Sequence, residues 1–339
     1  MFRYIAIIIA LCLAIDNDCC ACTSMVVSAS KSSTGRPLLW KHRDTDAENN
    51  FIAKVEATDS TLAYIGLFNE GDSLLREAWM GMNEKGFAIM NTASYNLPDY
   101  TTELKDAEGL LMARALKQCV DIDDFESLLK SRPIGIRANF GVIDSNGGAA
   151  YFEASDLGWV RYDANDAPEG YLIRTNYSMS GPDGVGRGYI RYKTAQKLTN
   201  EHKGLFAPED FTEGLSRQFY HSLIGRDLSN DSIIFNMDFI PRPISKASLV
   251  ISSDSTGEMF MWGCLGYPPC GVSQRATLDF IPEDFLPDSE WKSKACEESD
   301  GHFRQAVPTN VGGDNLYIDM NRLRPVIEEA INRSNSNLK

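Results

Sequence analysis

Short runs of alternating apolar and polar residues dominate the first part of the chain. Residues 24–28, 38–41, 51–57, 64–68 and 87–91 are rich in β-branched or aromatic side chains and are separated by Gly, Asn, Asp and Ser, which predicts strands. The period then changes. Leu110, Leu111, Ala115 and Leu116 share one face of a helix over 107–119, and Asp123 is placed to cap a second helix through Leu129 that Arg132-Pro133 stops. Strand patterns return at 138–143, 149–153, 159–162 and 171–175, the first two joined by the turn sequence Asp144-Ser145-Asn146-Gly147-Gly148. Further helices are predicted at 189–198, 209–220 and 320–332, and late strands at 249–253, 259–262 and 276–280. Blocks of strands alternating with blocks of helices predict an α+β fold with mainly antiparallel sheets rather than a doubly wound parallel one.

The start of the chain follows a different pattern. After Arg3 comes an apolar run from Tyr4 to Ile15, then Asp16-Asn17-Asp18 and Cys19-Cys20-Ala21. A charged start, an apolar stretch shorter than the ~20 residues of a membrane span, and small residues after it read as a secretory signal peptide. Cys19 and Ala21 have the spacing that a signal peptidase prefers, which puts the cut before Cys22 and assigns 1–21 to the leader and 22–339 to one domain. The location implied is secreted or periplasmic. A lipid anchor on Cys22 is the rival, and Cys19, where a lipoprotein motif carries an aliphatic residue, counts against it.

Composition narrows the partners. The 339 residues carry 47 acidic and 33 basic side chains, a net charge of −14, and 43% hydrophobic residues at a mean hydropathy of −0.26. This excludes a disordered chain and a polytopic membrane protein, and it argues against nucleic acid, which needs a positive footprint. No second apolar run reaches membrane length, and a homo-oligomer is left open. Four histidines without a His-Glu-x-x-His pattern, and no Cys-x-x-Cys after residue 22, give no support to a metal site, and no cofactor is implied. The glycine-rich stretch 181–188 lacks both the Lys-Ser/Thr ending and the dinucleotide spacing, so it reads as a connection rather than a phosphate loop.

Of the eight cysteines, Cys12, Cys19 and Cys20 would leave with the leader, and five remain. An odd number leaves at least one thiol outside any intramolecular disulfide. Cys264 and Cys270 flank a short loop and are candidates to bridge; Cys119 and Cys296 read as core residues. Cys22 is different, because the cut would make it the first residue. Its free α-amino group, with an intrinsic pKa of about 7.7 to 8, can take the thiol proton directly or through a water, and the thiolate can attack a carbonyl to give an acyl-enzyme. Read alone, Cys22 can equally be a disulfide partner or a lipidated residue.

The surrounding residues distinguish these readings. Cys22-Thr23-Ser24-Met25-Val26-Val27, followed by Gly35-Arg36-Pro37-Leu38-Leu39-Trp40-Lys41-His42-Arg43-Asp44, resembles the opening of N-terminal-nucleophile (Ntn) hydrolases related to penicillin V acylases, bile salt hydrolases and acyl-CoA:6-aminopenicillanate acyltransferases. Met82-Asn83-Glu84-Lys85-Gly86 through Asn91, then Arg174-Thr175-Asn176-Tyr177, then Arg187 to Arg191, are similar to later segments of that superfamily, and Trp262 to Asp279 is a weaker match to its closing strands. The resemblance implies a four-layer αββα sandwich and a secreted amidase that cleaves a non-peptide or N-acyl amide of a small molecule through Cys22, with acyl transfer as a competing outcome. An exported lipoprotein or binding domain without catalysis is the alternative on the same fold.

Site roles follow from what amide cleavage needs. Asp44 can hold the α-ammonium or thiol of Cys22. Asn176 and Asn91 offer side-chain donors to a tetrahedral oxyanion, a contribution worth roughly 3 to 4 kcal/mol per donor in other enzymes. The usual motif arginine falls on Lys41 here, so Lys41, Arg43, Arg187 and Arg191 all compete as the site cation, with Arg191 favoured by the resemblance. Asn176-Tyr177-Ser178 is a glycosylation sequon, which a buried oxyanion donor could not serve. Tyr95, Tyr100, Phe140 and Trp159 are candidates for an apolar acyl pocket or for the core.

Overall fold

The computed structural model describes residues 21–131, 135–235, 238–307 and 317–338. The expected leader, as far as Cys20, and the expected helix stop at Arg132-Pro133 lie outside the described residues.

In chain order the strands are β1 (Thr23–Val27), β2 (Leu38–Asp44), β3 (Asn50–Val55), β4 (Tyr64–Asn69), β5 (Met80–Asn83), β6 (Ala88–Ala93), β7 (Arg137–Ile143), β8 (Ala149–Ser155), β9 (Gly158–Asp163), β10 (Tyr171–Arg174), β11 (Tyr220–His221), β12 (Arg226–Asp227), β13 (Ile233–Phe235), β14 (Ser245–Ser253), β15 (Met259–Leu265), β16 (Gln274–Ala276) and β17 (Tyr317–Asp319). The helices are α1 (Glu108–Gln118), α2 (Ile122–Lys130), α3 (Tyr189–Glu201), α4 (Lys294–Ala306) and α5 (Met320–Asn337). Two sheets carry the architecture, one ordered β10-β1-β2-β14-β15-β16 and one ordered β3-β4-β5-β6-β7-β8-β9, and every strand pairing within them is antiparallel.

The sheets pack face to face because each presents an apolar face with period two. Val26, Leu39, Leu249 and Met261 of the first meet Ile65, Met82, Met90 and Tyr151 of the second. Gly141 marks where they come closest: a Cβ there would lie 2.4 Å from Met90 Cε and 3.0 Å from Leu39 Cδ1. The outer face of the second sheet, with Phe87, Phe140 and Phe152, is covered by Leu111 and Leu116 of α1 and Phe125 of α2. The outer face of the first, with Met25, Trp40 and Val250, is covered by Ala195 of α3 together with Phe206 and Phe211. Helix, sheet, sheet, helix is the four-layer αββα order, an α+β fold as the residue pattern predicts. No helix among the described residues is long and apolar enough to cross a membrane.

Several expected elements are corrected. Residues 209–220 do not form an α-helix: Asp210–Gly214 is a wide π-helical turn, Leu215–Arg217 a 3₁₀ turn, and Tyr220 opens β11. Long-range partners override the local pattern there, since Thr212 accepts from Trp262 Nε1 at 3.1 Å and the Arg217 guanidinium donates to the carbonyls of Pro269 and Gly271 at 2.8 Å each. The cap of α2 is Asp121, which accepts from the Asp124 amide, rather than Asp123. Of the last expected strand, 276–280, only Ala276 pairs, as the end of β16, because Thr277 and Phe280 close a turn. Helix α4, with a sparse apolar stripe of Cys296, Phe303 and Ala306, has no counterpart in the sequence reading. Cys264 and Cys270 are not bridged; they are free, as are Cys22, Cys119 and Cys296.

Candidate active site

The hairpin of β1 and β2 sets the frame. Thr23 lies opposite His42 and Ser24 opposite Lys41, so Cys22 enters beside the Arg43-Asp44 end of β2. Strand alternation then divides the neighbours between the two faces. Met25 and Trp40 face the helix layer, and Val26 and Leu39 face the other sheet. Cys22 is buried, with its Sγ 3.7 Å from the main-chain oxygen of Asp44.

Arg191 reaches this point from the first turn of α3. Its guanidinium is wholly buried and nearly every donor is used: Nη1 donates to the Cys22 carbonyl at 2.6 Å and to Thr23 Oγ1 at 3.1 Å, Nη2 to Asn176 Oδ1 at 2.9 Å, and Nε to Asp238 Oδ1 at 2.8 Å. The helix can start this close to β10 because Gly188, its N-cap, sits at φ +83°, where a Cβ would lie 2.6 Å from Arg191 Nη2 and 2.9 Å from Thr175 Cβ.

Asp44 is the second anchor. Its Oδ1 accepts from Ser245 Oγ at 2.5 Å and its Oδ2 from Arg242 Nε at 2.9 Å. Ser245 Oγ also accepts the Arg242 amide at 2.9 Å and lies 2.9 Å from His42 Nε2. With the hydroxyl proton committed to Asp44, His42 must present Nε2–H, and its Nδ1 is left without a partner among the described residues. Burial pushes the Asp44 carboxyl up from its ordinary value, while Arg242, Arg191 and the Ser245 hydrogen bond oppose that rise. Burial, with the same two arginines, pulls His42 down to about 3, so its ring is neutral. His42, Ser245 and Asp44 thus share the residue types of a hydrolytic triad, but the serine is fully buried and its proton points at the aspartate.

Asn176 is held by a polar scaffold. Its Nδ2 donates to the Ala93 carbonyl at 3.0 Å while Oδ1 takes Arg191. The residues after it are tied to Glu153, whose carboxylate accepts the amides of Met179 and Ser180 at 2.8 and 2.7 Å and pairs with Arg174 at 2.6 Å, with both charged side chains buried. This burial of Asn176 removes it as a glycan acceptor.

The structure therefore brings Cys22, Asp44, Asn176 and Arg191 into one neighbourhood, with Cys22 and Asn176 both hydrogen-bonded to Arg191. Asn91 is held by Lys41 rather than by Arg191: its Oδ1 accepts from Lys41 Nζ at 2.8 Å, and its amide protons have no partner among the described residues. The four cations separate. Lys41 serves Asn91 and the Trp79 carbonyl, Arg43 donates to Asn69 Oδ1 at 2.6 Å and lies over the Trp79 ring, Arg187 lies over the Tyr95 ring, and Arg191 is the one that reaches the Cys22 carbonyl. Of the four aromatic candidates, Phe140 is core and Trp159 packs against it, Tyr100 bonds to Asp106 across exposed surface, and Tyr95 neighbours Asn176 through the bond from its amide to the Asn176 carbonyl at 3.1 Å. Sequence reasoning missed Arg242, Asp238 and Ser245. The only local signal is Asp238 four residues before Arg242 in a proline-flanked stretch, and nothing in it points to β2. Among the described residues no group of His, Cys, Asp or Glu could hold a metal.

A family model described as acyl-coenzyme A:6-aminopenicillanic acid acyl-transferase matches residues 44–214, a span that contains Asp44, Asn91, Asn176 and Arg191 but not Cys22. Comparison with curated protein sequences finds no match. Among solved structures the chain is similar to the Caenorhabditis elegans ortholog of N-acylethanolamine-hydrolyzing acid amidase, at 14% identity over 68% of this chain and 92% of that one with a TM-score of 0.45. It is also similar to a mutant of conjugated bile acid hydrolase from Clostridium perfringens (11%, 76% and 92%, 0.47) and to penicillin V acylase from Agrobacterium tumefaciens (15%, 76% and 87%, 0.43).

Proposed function

The chain belongs to the acyl-coenzyme A:6-aminopenicillanic acid acyl-transferase family, whose chemistry is amide-bond hydrolysis or acyl transfer by an Ntn enzyme, and from that premise we propose that it is an exported amidase whose nucleophile is Cys22. The observation that carries this reading is the convergence on one residue: Arg191 takes the Cys22 carbonyl and the main-chain oxygen of Asp44 lies 3.7 Å from its Sγ, at the start of a central strand. Removal of the leader through Ala21 turns the Cys22 peptide nitrogen into a free amine. Asp44 then holds that amine, which accepts the thiol proton. Sγ attacks the amide carbonyl of the substrate, and the oxyanion that forms is met by side-chain donors of Asn176 and Asn91, the latter with amide protons that have no partner among the described residues. Collapse expels the leaving amine with the proton returned from the ammonium, and water or a second amine resolves the thioester. Arg191 fixes the carbonyl of the nucleophile's own residue, which fixes where its nitrogen and thiol point.

The test joins two measurements. N-terminal sequencing of the exported protein is expected to begin at Cys22, and Cys22→Ala is expected to abolish cleavage of acyl-amino acids, penicillin V or conjugated bile acids by at least about 10³-fold with an unchanged far-UV spectrum. A lipidated N-terminus, or an active Cys22→Ala protein, would overturn the reading.

A further inference from the structure

Beyond the residues that the reaction uses, one carboxylate joins the two halves of the site. Asp238 Oδ1 accepts Arg191 Nε at 2.8 Å and lies 3.8 Å from Arg242 Nη1. Arg191 leads to the Cys22 carbonyl and Asn176; Arg242 leads to Asp44. Among the described residues, Asp238 is the one carboxylate paired with the buried Arg191 guanidinium, whose other acceptors are all neutral. We propose that Asp238 is a positioning residue that binds Arg191 and Arg242 into one unit and balances their charge around the Cys22 amine and thiol. The inference rests on the reading of Cys22 as nucleophile.

Arg191 and Arg242 carry two positive charges and Asp44 and Asp238 two negative ones, so these four side chains cancel; Arg43, the further cation on β2, is directed to Asn69 and the Trp79 ring. A cancelling quartet suits a nucleophile that must pass between amine with thiol and ammonium with thiolate, since it penalises neither form. The charged and titratable groups around the amine and Asp238 are Asp44, His42 and Arg43 from β2, Arg191 from α3, His221 from β11, lowered by burial against the pull of Asp238, Asp238 and Arg242 from the segment before β14, the thiol of Cys22 itself, and Tyr267, whose hydroxyl is held protonated by burial and by Cys270 and Asp44. His42 is neutral throughout the working range.

Removing Asp238 adds one net positive charge near the amine and Asp44; both then lose their protons at lower pH. Removing Arg242 does the opposite. Asp238→Asn is expected to lower kcat about tenfold or more and to move the acid limb of the kcat/KM profile down by about half to one pH unit, with Arg242→Gln moving it up by a similar amount and the double variant lying between. Asp238→Glu is expected to recover most of kcat and the wild-type limb. A loss of activity with limbs unmoved, or moved the same way in both single variants, overturns the proposal, as does Asp238→Asn with wild-type kinetics. Circular dichroism on each variant identifies any that fails to fold; if Asp238→Asn does, Arg242→Gln must still move the acid limb up and Asp238→Glu must keep the wild-type limb with most of kcat, and failure of either overturns the proposal. Cys22→Ala run alongside separates the two readings: if it is active, the nucleophile reading fails, and if it is inactive with no opposite shifts, only the positioning role fails.

Discussion

The Arg191 guanidinium donates to the main-chain carbonyl of Cys22 at 2.6 Å, from a position closed to solvent. A helix residue thereby fixes the backbone of the residue that leads into β1, 169 positions earlier. Lysine has one cationic centre where arginine has a planar fork, so it cannot serve the Cys22 carbonyl, Asn176 and Asp238 together. Arg191→Lys keeps the charge but leaves a buried acceptor unmet, and is expected to cost about 1 to 3 kcal/mol of stability and to lower kcat more than it raises KM. Urea melts and steady-state kinetics on the same preparations measure both; a variant with wild-type stability would show that the guanidinium is not a structural tie.

Gly188 makes that reach possible. With φ at +83° and no room for a Cβ beside Arg191 and Thr175, Gly188→Ala must either strain the helix start or push the guanidinium away. The expected result is about 1 to 3 kcal/mol of destabilisation together with a fall in kcat. Gly184→Ala, also at positive φ but with open space around it, serves as the control and should cost less and leave kcat alone.

The architecture was legible where one residue's chemistry is enough to mark it. The period-two runs around Val26, Leu39, Ile65 and Phe140 locate strands because those residues serve a sheet face and little else. Cys22 stands out by its place after an apolar run, and Asp44 by its place in the β2 motif. The unread part is long-range: Arg242 and Ser245 meet Asp44 across 198 and 201 positions, and no local period encodes such a pairing. Residues 209–220 misled for the same reason, since a helical apolar spacing was overruled by Trp262 and the carbonyls after Pro268.

Glu153 controls the loop after Asn176. Its carboxylate accepts two main-chain amides and pairs with Arg174, which is stacked against Tyr151 and Tyr162. Glu153→Gln keeps the volume but leaves Arg174 as an uncompensated buried charge and turns one acceptor into a donor. A loss of about 3 to 5 kcal/mol is expected in a denaturant melt, with kcat reduced as Asn176 loses its support. Glu153→Gln that melts with the wild type would mean that the pair contributes nothing net.

His42 supplies a test of the buried network in the absence of substrate. Its folded pKa is held down to about 3, against an ordinary value near 6.5, by burial first and then by Arg191 and Arg242. Between these values the unfolded chain binds a proton that the folded chain refuses, so stability rises with pH through the window, with a slope approaching about 1.4 kcal/mol per pH unit for this one group, and stops rising above about 6.5. Asp44, whose carboxyl is raised, contributes a slope of the opposite sign above the ordinary carboxylate value. His42→Gln retains Asp44 and a donor for Ser245, so the difference between wild type and variant isolates the histidine. That difference, from chemical melts between pH 4 and 8, is expected to change steadily below about 6.5 and to be flat above it. A difference that is flat across the whole range would mean that folded His42 takes up a proton as readily as the unfolded chain does, and that the hydrogen bond to Ser245 does not fix its neutral form.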